Sequence, residues 1–229
     1  MEYVLPTLQV DIISDVMCPW CYVGKRRFEQ AVHQRPDVTF DVRWRPFQLD
    51  ATIPPEGVDR REYLKKKFGD RAGGDMYRHL VEAGKQENIP FAFEKIELSP
   101  NTLNAHRLIR WASTAGVQDQ VVEVLFRAYF IEGRNLSDKV ILADIAEGAG
   151  MEREIVERLL ENDADMDLVK EEISLATRMG VSGVPCFIFA NKLVVMGAQD
   201  SAILVQAIDQ AMEESREAVD FFESPPAAN

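Results

Sequence analysis

Residues 15–32, with the sequence DVMCPWCYVGKRRFEQAV, carry the clearest structural signal in this chain. They contain Cys18 and Cys21, two of the three cysteines in the sequence, one helical turn apart. Pro19 suits the first turn of a helix, because the N–H that proline lacks would have no partner there. Apolar residues then recur at helical spacing as far as Val32. We therefore predict a helix that begins immediately after Cys18.

The cysteine pair is well placed for thiol chemistry. The unpaired N–H groups and the dipole at the start of a helix stabilise a thiolate at Cys18. Cys21 lies on the same helical face, with about 5 Å between the two Cα atoms, a separation that a disulfide allows. The pattern therefore indicates a redox couple in which Cys18 is the nucleophile.

Two other roles remain open for this pair. One is that both cysteines are buried and purely structural. The other is a zinc site, which would need four ligands. The sequence has neither a second Cys-x-x-Cys motif nor a His-x-x-x-His motif, so we predict no metal site.

The segments on both sides of this helix have the pattern of strands. Residues 8–14, LQVDIIS, are almost continuously apolar, which is typical of a strand covered on both faces. Residues 38–49, VTFDVRWRPFQL, alternate between apolar and polar as a strand does. Strand, helix and strand together form a βαβ unit if the two strands are parallel.

The rest of the chain divides into a helical part and a second α/β part. Residues 51–179 are almost entirely of helical pattern, whereas residues 180–217 contain two short apolar runs, a tight connection at residues 191–192 and a closing helix. We therefore predict an α/β protein with a thioredoxin-like arrangement: residues 1–50 and 180–217 form one domain, interrupted by an all-helical insertion. Residues 218–229 are predicted to be a disordered tail.

The composition limits the possible partners. The chain has 229 residues and a formal net charge of -12, and such an acidic surface repels nucleic acid. No run of about 18 apolar residues is present, so we expect no membrane partner. The N-terminus lacks the basic and apolar regions of a signal peptide, which predicts a cytoplasmic protein. In that compartment a Cys-x-x-Cys motif is usually catalytic or metal-binding.

Several motifs together resemble a known family. CPWC after a strand, with GVPCFIF at residues 183–189, resembles thioredoxin-fold proteins, and the helical insertion resembles the DsbA-like thiol oxidoreductases. Residues 14–31, WRPFQLD at 44–50 and PNTLNAHRLIRWA at 100–112 resemble the FrnE subgroup, described as predicted dithiol-disulfide isomerases. The resemblance extends over nearly the whole chain.

The resemblance implies roles for individual residues. Cys18 would be the attacking thiolate and Cys21 the resolving thiol. Pro185 would be a cis proline beside the pair, and the backbone of Val184 would bind an extended substrate segment.

Further substrate contacts are expected around this pair. Pro19 and Trp20, between the cysteines, are candidate contacts, and so are Asn104 and His106, because the resemblance places their helix over the site. His106 is also a candidate proton shuttle, although a lone histidine on a helix is often structural.

Two residues near these motifs have competing interpretations. Asp15 is predicted to cap the helix, or else to accept a proton when Cys21 loses one. Cys186 follows Pro185 in an apolar strand, so its side chain should point away from the pair and be inert. The alternative is a third redox-active thiol, brought round to the pair by a bulge in the strand.

The sequence therefore predicts a thiol–disulfide oxidoreductase or isomerase. It would need no bound cofactor, and its partners would be proteins with disulfides or dithiols, or a small thiol such as glutathione. The alternative is a glutathione-dependent isomerase or a kappa-class-like glutathione transferase, although those relatives generally have serine where this chain has Cys18. A third possibility is a non-enzymatic protein that keeps the fold. The oligomeric state is not predicted.

Overall fold

The computed structural model describes residues 5–69 and 75–223. Its strands are β1 (Thr7–Ser14), β2 (Thr39–Pro46), β3 (Val58–Asp59), β4 (Leu98–Ser99), β5 (Cys186–Phe189) and β6 (Leu193–Met196). Its helices are α1 (Pro19–His33), α2 (Arg60–Phe68), α3 (Asp75–Gln86), α4 (Leu103–Thr114), α5 (Gln118–Phe130), α6 (Lys139–Gly148), α7 (Arg153–Glu161), α8 (Met166–Arg178) and α9 (Ser201–Glu223).

The central sheet has four strands in the order β2-β1-β5-β6. Strands β1 and β2 are parallel, so β1, α1 and β2 form the predicted βαβ unit. Strand β5 is antiparallel to both β1 and β6, and β5 and β6 form the predicted hairpin. The two distant parts of the sequence therefore meet on β1, as predicted.

The two faces of this sheet are covered differently. Alternate residues of β1 and β5 pack against α1 and α9 in the main core; they are Leu8, Val10, Ile12, Phe187 and Phe189. The ring centroids of Phe28 in α1 and Phe187 in β5 are 5.7 Å apart. On the opposite face, Ile13, Cys186 and Ile188 form a smaller cluster with residues from the end of α8 and the loop after it. The site described below lies at the start of α1, against the loop that precedes β5.

The insertion is mostly helical but not entirely so. Strands β3 and β4 form a short antiparallel ladder in which Val58 pairs with Ser99. Helix α4 begins at Leu103, after this ladder. The all-helical insertion was wrong in this detail, because two paired residues are too short to produce an alternating pattern.

The C-terminal boundary also differs from the prediction. Helix α9 ends at Glu223, so residues 218–223, assigned to a disordered tail, are helical. No proline or glycine interrupts the sequence from Ser201 to Glu223, and two prolines follow at 225 and 226. Residues 224–229 lie outside the described part of the chain.

A buried lysine joins the insertion to the sheet domain. The Lys25 side chain in α1 is 2% exposed, and its Nζ contacts Glu29 and lies 3.1 Å from Asp119 and 3.4 Å from Glu123, both in α5. Trp44 of β2 donates from Nε1 to the same Asp119 at 3.0 Å. This cluster fixes α5 against α1 and β2, next to the cysteines.

None of the helices in residues 5–69 and 75–223 has the length and hydropathy needed to cross a membrane.

Candidate active site

Helix α1 presents the cysteines as the sequence predicts. Cys18 is its N-cap residue and Pro19 its first residue. The backbone N–H of Cys21 donates to the Cys18 carbonyl at 3.0 Å, which closes the first turn. Among the described residues no side chain caps this helix, and its first turn contains no acidic residue. Nothing on the helix therefore neutralises the positive end of its dipole beside the Cys18 sulfur.

Both thiols are buried, Cys21 the more deeply. All three cysteines are free; Cys18 is 5% exposed and Cys21 only 1%. Burial raises the pKa of the Cys21 thiol well above its ordinary value, and the hydrogen bond and charge of Cys18 raise it further. The Ser14 hydroxyl and the backbone N–H of Asp15 act in the opposite direction. Cys21 therefore keeps its proton in the reduced protein, which suits the second thiol of a redox couple.

The loop before β5 lies against this pair. The Val184–Pro185 peptide bond is cis, as the resemblance implied. The Cys18 thiol donates to the Val184 carbonyl with 3.6 Å between sulfur and oxygen. A Cβ on Gly24 would stand 2.8 Å from Pro185 Cγ, so only glycine lets α1 approach this proline so closely. The structure therefore brings Cys18, Val184 and Pro185 together from opposite ends of the chain.

The residues between the cysteines form the outer surface of the site. Trp20 is 38% exposed although it is a large aromatic side chain, and Pro19 is half-buried. An exposed aromatic ring beside the Cys18 sulfur could offer apolar contact to a substrate. Their part in substrate binding stays a prediction.

Asp15 does not cap α1, and that prediction was wrong. It lies in the loop between β1 and α1, fully buried, and its Oδ2 accepts from the backbone N–H of Leu49 at 2.7 Å. Its Oδ1 accepts from the Met17 N–H at 3.4 Å. Because Cys18 itself is the N-cap, Asp15 lies too early in the chain to reach the first turn of the helix. It joins the loop before α1 to the loop after β2.

His106 lies on α4 and contacts the loops before α1 and after β2. It is 3% exposed, and its Nε2 is 2.8 Å from the Phe47 carbonyl and 3.5 Å from Asp15 Oδ1. Sequence analysis named both residues but did not pair them, because 91 positions separate them and no shared pattern links them. These contacts are those of a structural histidine, and its contact with substrate stays a prediction.

Asn104 has a partner within the protein. Its Oδ1 accepts from Arg107 Nη1 at 2.8 Å. Arg107 is 1% exposed and also donates to the carbonyls of Leu159, Asn162 and Ala164 near the end of α7. Asn104 is half-buried, and its binding of substrate is likewise not tested by these contacts.

Cys186 points away from Cys18 and Cys21, as predicted. It is fully buried in the smaller cluster with Ile13, Ala176 and Val181. Burial raises the pKa of its thiol to about 11. In the described ranges, no group of three His, Cys, Asp or Glu side chains is arranged to hold a metal ion.

Comparison with known proteins identifies related sequences over most of the chain. The model of the DSBA-like thioredoxin domain family matches residues 9–209. The uncharacterised protein YwbO from Bacillus subtilis is 26% identical over 204 residues, which are 88% of this chain and 96% of that protein. The crystal structure of the probable DsbA oxidoreductase SCO1869 from Streptomyces coelicolor is 30% identical, covers 90% of this chain and 91% of its own, and has a TM-score of 0.82.

Two more distant structures share the fold alone. A 2-hydroxychromene-2-carboxylate isomerase is 18% identical with a TM-score of 0.67, covering 92% of this chain and 98% of its own. The cytosolic disulfide reductase DsbM from Pseudomonas aeruginosa, solved with glutathione, is 14% identical with a TM-score of 0.60 and the same coverage.

Proposed function

Because the chain belongs to the DSBA-like thioredoxin domain family, we propose that it is a thiol–disulfide oxidoreductase working through Cys18 and Cys21. One observation carries the proposal: the Cys18 sulfur lies 3.6 Å from the Val184 carbonyl, beside Pro185, while Cys21 is buried one helical turn further on. A first thiol hydrogen-bonded to a backbone carbonyl and a more deeply buried second thiol one turn away suit disulfide exchange. The FrnE subgroup and isomerase activity remain narrower predictions.

The reaction follows from these positions. The Cys18 thiolate attacks one sulfur of a substrate disulfide; a mixed disulfide forms, and the other substrate sulfur leaves as a thiolate and takes up a proton. Cys21 then loses its proton and attacks the Cys18 sulfur. The Cys18–Cys21 disulfide forms, and the second substrate thiol is released. The protein has lost two electrons to the substrate, and the reverse sequence oxidises a dithiol.

The proposed partners are proteins with an accessible disulfide or dithiol, or a small thiol. Glutathione is the first small thiol to test, since DsbM, which shares the fold, was solved with it. DsbM is also named as cytosolic, which supports the cytoplasm as the compartment proposed here. The chemistry itself uses only the two sulfurs of the protein and needs no bound cofactor.

The alternative is a glutathione-dependent isomerase on the same fold. The 2-hydroxychromene-2-carboxylate isomerase shares that fold with this chain. A second thiol beside Cys18 has no use in such a reaction, whereas disulfide exchange needs it. The presence of Cys21 therefore favours the oxidoreductase.

A redox titration tests the proposal. The protein is equilibrated with buffers of reduced and oxidised glutathione, the thiols are alkylated, and the linked residues are identified by mass spectrometry. We expect one two-electron transition that joins Cys18 to Cys21, and catalysed reduction of a peptide disulfide that Cys18→Ser abolishes and Cys186→Ala retains. Absence of this disulfide at every glutathione ratio would refute the oxidoreductase.

A further inference from the structure

Ser14 is a polar residue on an apolar strand face. Along β1, Val10 and Ile12 point into the main core that also contains Cys21. Side chains two positions apart share a face of a strand, so Ser14 faces α1 as they do. Ser14 is 5% exposed, which makes it the buried hydroxyl at the end of the strand that leads to the cysteines.

The hydroxyl of Ser14 is unpartnered in the reduced protein. Within the described part of the chain, Ser14 Oγ makes no hydrogen bond. The backbone around it is fixed, because the Ser14 carbonyl accepts from the Phe47 N–H at 3.0 Å and β1 is paired on both sides. A buried polar group without a partner costs free energy, and such groups in native proteins often have a functional role.

Ser14 faces helix α1, whose first turn carries the Cys21 thiol. Burial raises the pKa of that thiol, and the Ser14 hydroxyl lowers it, together with the backbone N–H of Asp15. Both are hydrogen-bond donors, and a donor favours the charged form of a thiol. The neutral Cys21 thiol has little need of them, whereas a Cys21 thiolate enclosed in protein depends on such donors.

We propose that Ser14 is a positioning residue for the resolving step, with its hydroxyl donating a hydrogen bond to the Cys21 thiolate. The inference rests on the proposed function and adds to it. As Cys21 ionises, its sulfur attacks the Cys18 sulfur of the mixed disulfide. The Cys18–Cys21 bond forms, the bond from Cys18 to the substrate breaks with its electron pair on the substrate sulfur, and the proton lost by Cys21 returns through solvent to that released thiolate. Ser14 itself keeps its proton.

The two thiol steps can be measured separately with 5,5′-dithiobis(2-nitrobenzoate), a chromogenic disulfide. Attack by Cys18 releases the first coloured thiolate, and attack by Cys21 on the resulting mixed disulfide releases the second. The measurements use the Cys186→Ala variant as the parent protein, in which Cys18 and Cys21 are the only two cysteines left. Ser14→Ala is expected to leave the first release unchanged and to slow the second about tenfold at pH 7, the scale of one hydrogen bond to a charged group.

The pH profile separates this role from a structural one. In Ser14→Ala the midpoint of the second release should move up by about one pH unit, and Ser14→Thr, which keeps a hydroxyl, should restore it. The matched control is Ser99→Ala, since Ser99 Oγ is also buried and unpartnered among the described residues but belongs to β4. That control should leave both releases and the midpoint unchanged.

The outcomes are distinct. An unchanged midpoint in Ser14→Ala overturns the role of Ser14. If Ser14→Ala does not fold, Ser14→Gly also removes the hydroxyl and must show the same shift, or the role is refuted. If Cys186→Ala with Ser14 intact releases no second thiolate, the proposed function itself fails and the role of Ser14 fails with it.

Discussion

At the scale of single residues, Cys18 and Cys21 are chemically unequal because of where α1 begins. Cys18 is the N-cap, beside the positive end of the helix, and Cys21 is buried in the following turn. Cys18→Ser should therefore abolish exchange, while Cys21→Ser should accumulate a mixed disulfide through Cys18. Mass spectrometry of each variant after incubation with a peptide disulfide measures this. Accumulation of the adduct in Cys18→Ser instead would mean that the roles are reversed.

Cys186 should affect stability at high pH and leave exchange unaffected. Its pKa is raised to about 11 by burial, so the native state keeps a proton that the unfolded state loses from about pH 9 upward. This contribution to stability is complete below pH 9 and disappears as the pH rises through 11. At pH 10.5 Cys186 should lower the free energy of unfolding by about 2 kcal/mol relative to neutral pH.

Urea unfolding at pH 7.5 and pH 10.5 checks this. Cys186→Ala creates a small cavity whose cost is the same at both values, so the pH-dependent part can be compared directly with the unmodified protein. Between pH 7.5 and pH 10.5, the free energy of unfolding of Cys186→Ala should fall by less than that of the unmodified protein. An equal loss in both proteins would show that Cys186 is not responsible. Iodoacetamide should label Cys18 first and Cys186 only after denaturation.

Sequence analysis found the residues with a strong local signal and missed those defined by distant contacts. Cys18 and Cys21 follow from their spacing and from the helix start, and the cis bond at Pro185 followed from the resemblance. The pairing of Asp15 with His106 and the unpartnered hydroxyl of Ser14 depend on how loops meet in space. Neither leaves a periodic pattern in the sequence.

At the scale of elements, the contact between α1 and the loop before β5 depends on Gly24. An added Cβ would stand 2.8 Å from Pro185 Cγ and 3.4 Å from the ring of Phe187. Gly24→Ala should therefore push Pro185 away from Cys18, slow disulfide exchange and destabilise the protein by about 1–3 kcal/mol. Thermal unfolding and exchange rates measured on the same samples test this.

The matched control for that substitution is Gly148→Ala at the end of α6. A Cβ there would meet no atom of the described chain within 4 Å. Because alanine favours helix more than glycine does, this variant should be as stable as the unmodified protein or more so, by up to about 1 kcal/mol. Normal exchange in Gly24→Ala would show that the position of Pro185 tolerates this shift.

Elements with long periodic patterns were predictable, and short ones were not. The order of strands and helices in the sheet domain followed from apolar runs, prolines and a hairpin signal. The ladder of β3 and β4 is two residues long on each side, so only its tertiary pairing defines it. Because Ser99 belongs to that ladder, α4 begins only at Leu103.

At the scale of the whole molecule, Lys25 joins the two parts of the protein. Burial alone would lower the pKa of Lys25, but Asp119, Glu29 and Glu123 raise it above its ordinary value. Lys25→Met leaves these partly exposed carboxylates without their buried cation and should cost about 1–3 kcal/mol of stability. The control is Arg43→Met, whose exposed pair with Asp41 should be worth less than about 1 kcal/mol.

The pH dependence gives a second check on this cluster. The raised pKa of Lys25 means that its contribution is complete below its ordinary pKa of about 10.4 and is lost as the pH rises further. Burial would raise the pKa of Glu29, but Lys25 and Arg26 lower it, so its contribution is lost as the pH falls below about 4. Urea unfolding of the unmodified protein and of Lys25→Met should show the largest difference in the free energy of unfolding between about pH 4 and pH 10.4. A difference that does not vary with pH would mean that Lys25→Met acts through packing alone.

The distance in sequence between Cys18 and Val184, 166 positions, has a consequence during biosynthesis. At about 5–20 residues per second, a ribosome reaches Val184 roughly 10–30 s after it has added Cys18. Throughout that interval the nascent polypeptide carries a vicinal dithiol without the strand, the proline and the closing helix that later enclose it. Oxidants and soft metal ions can reach both sulfurs during that interval, before the fold encloses them.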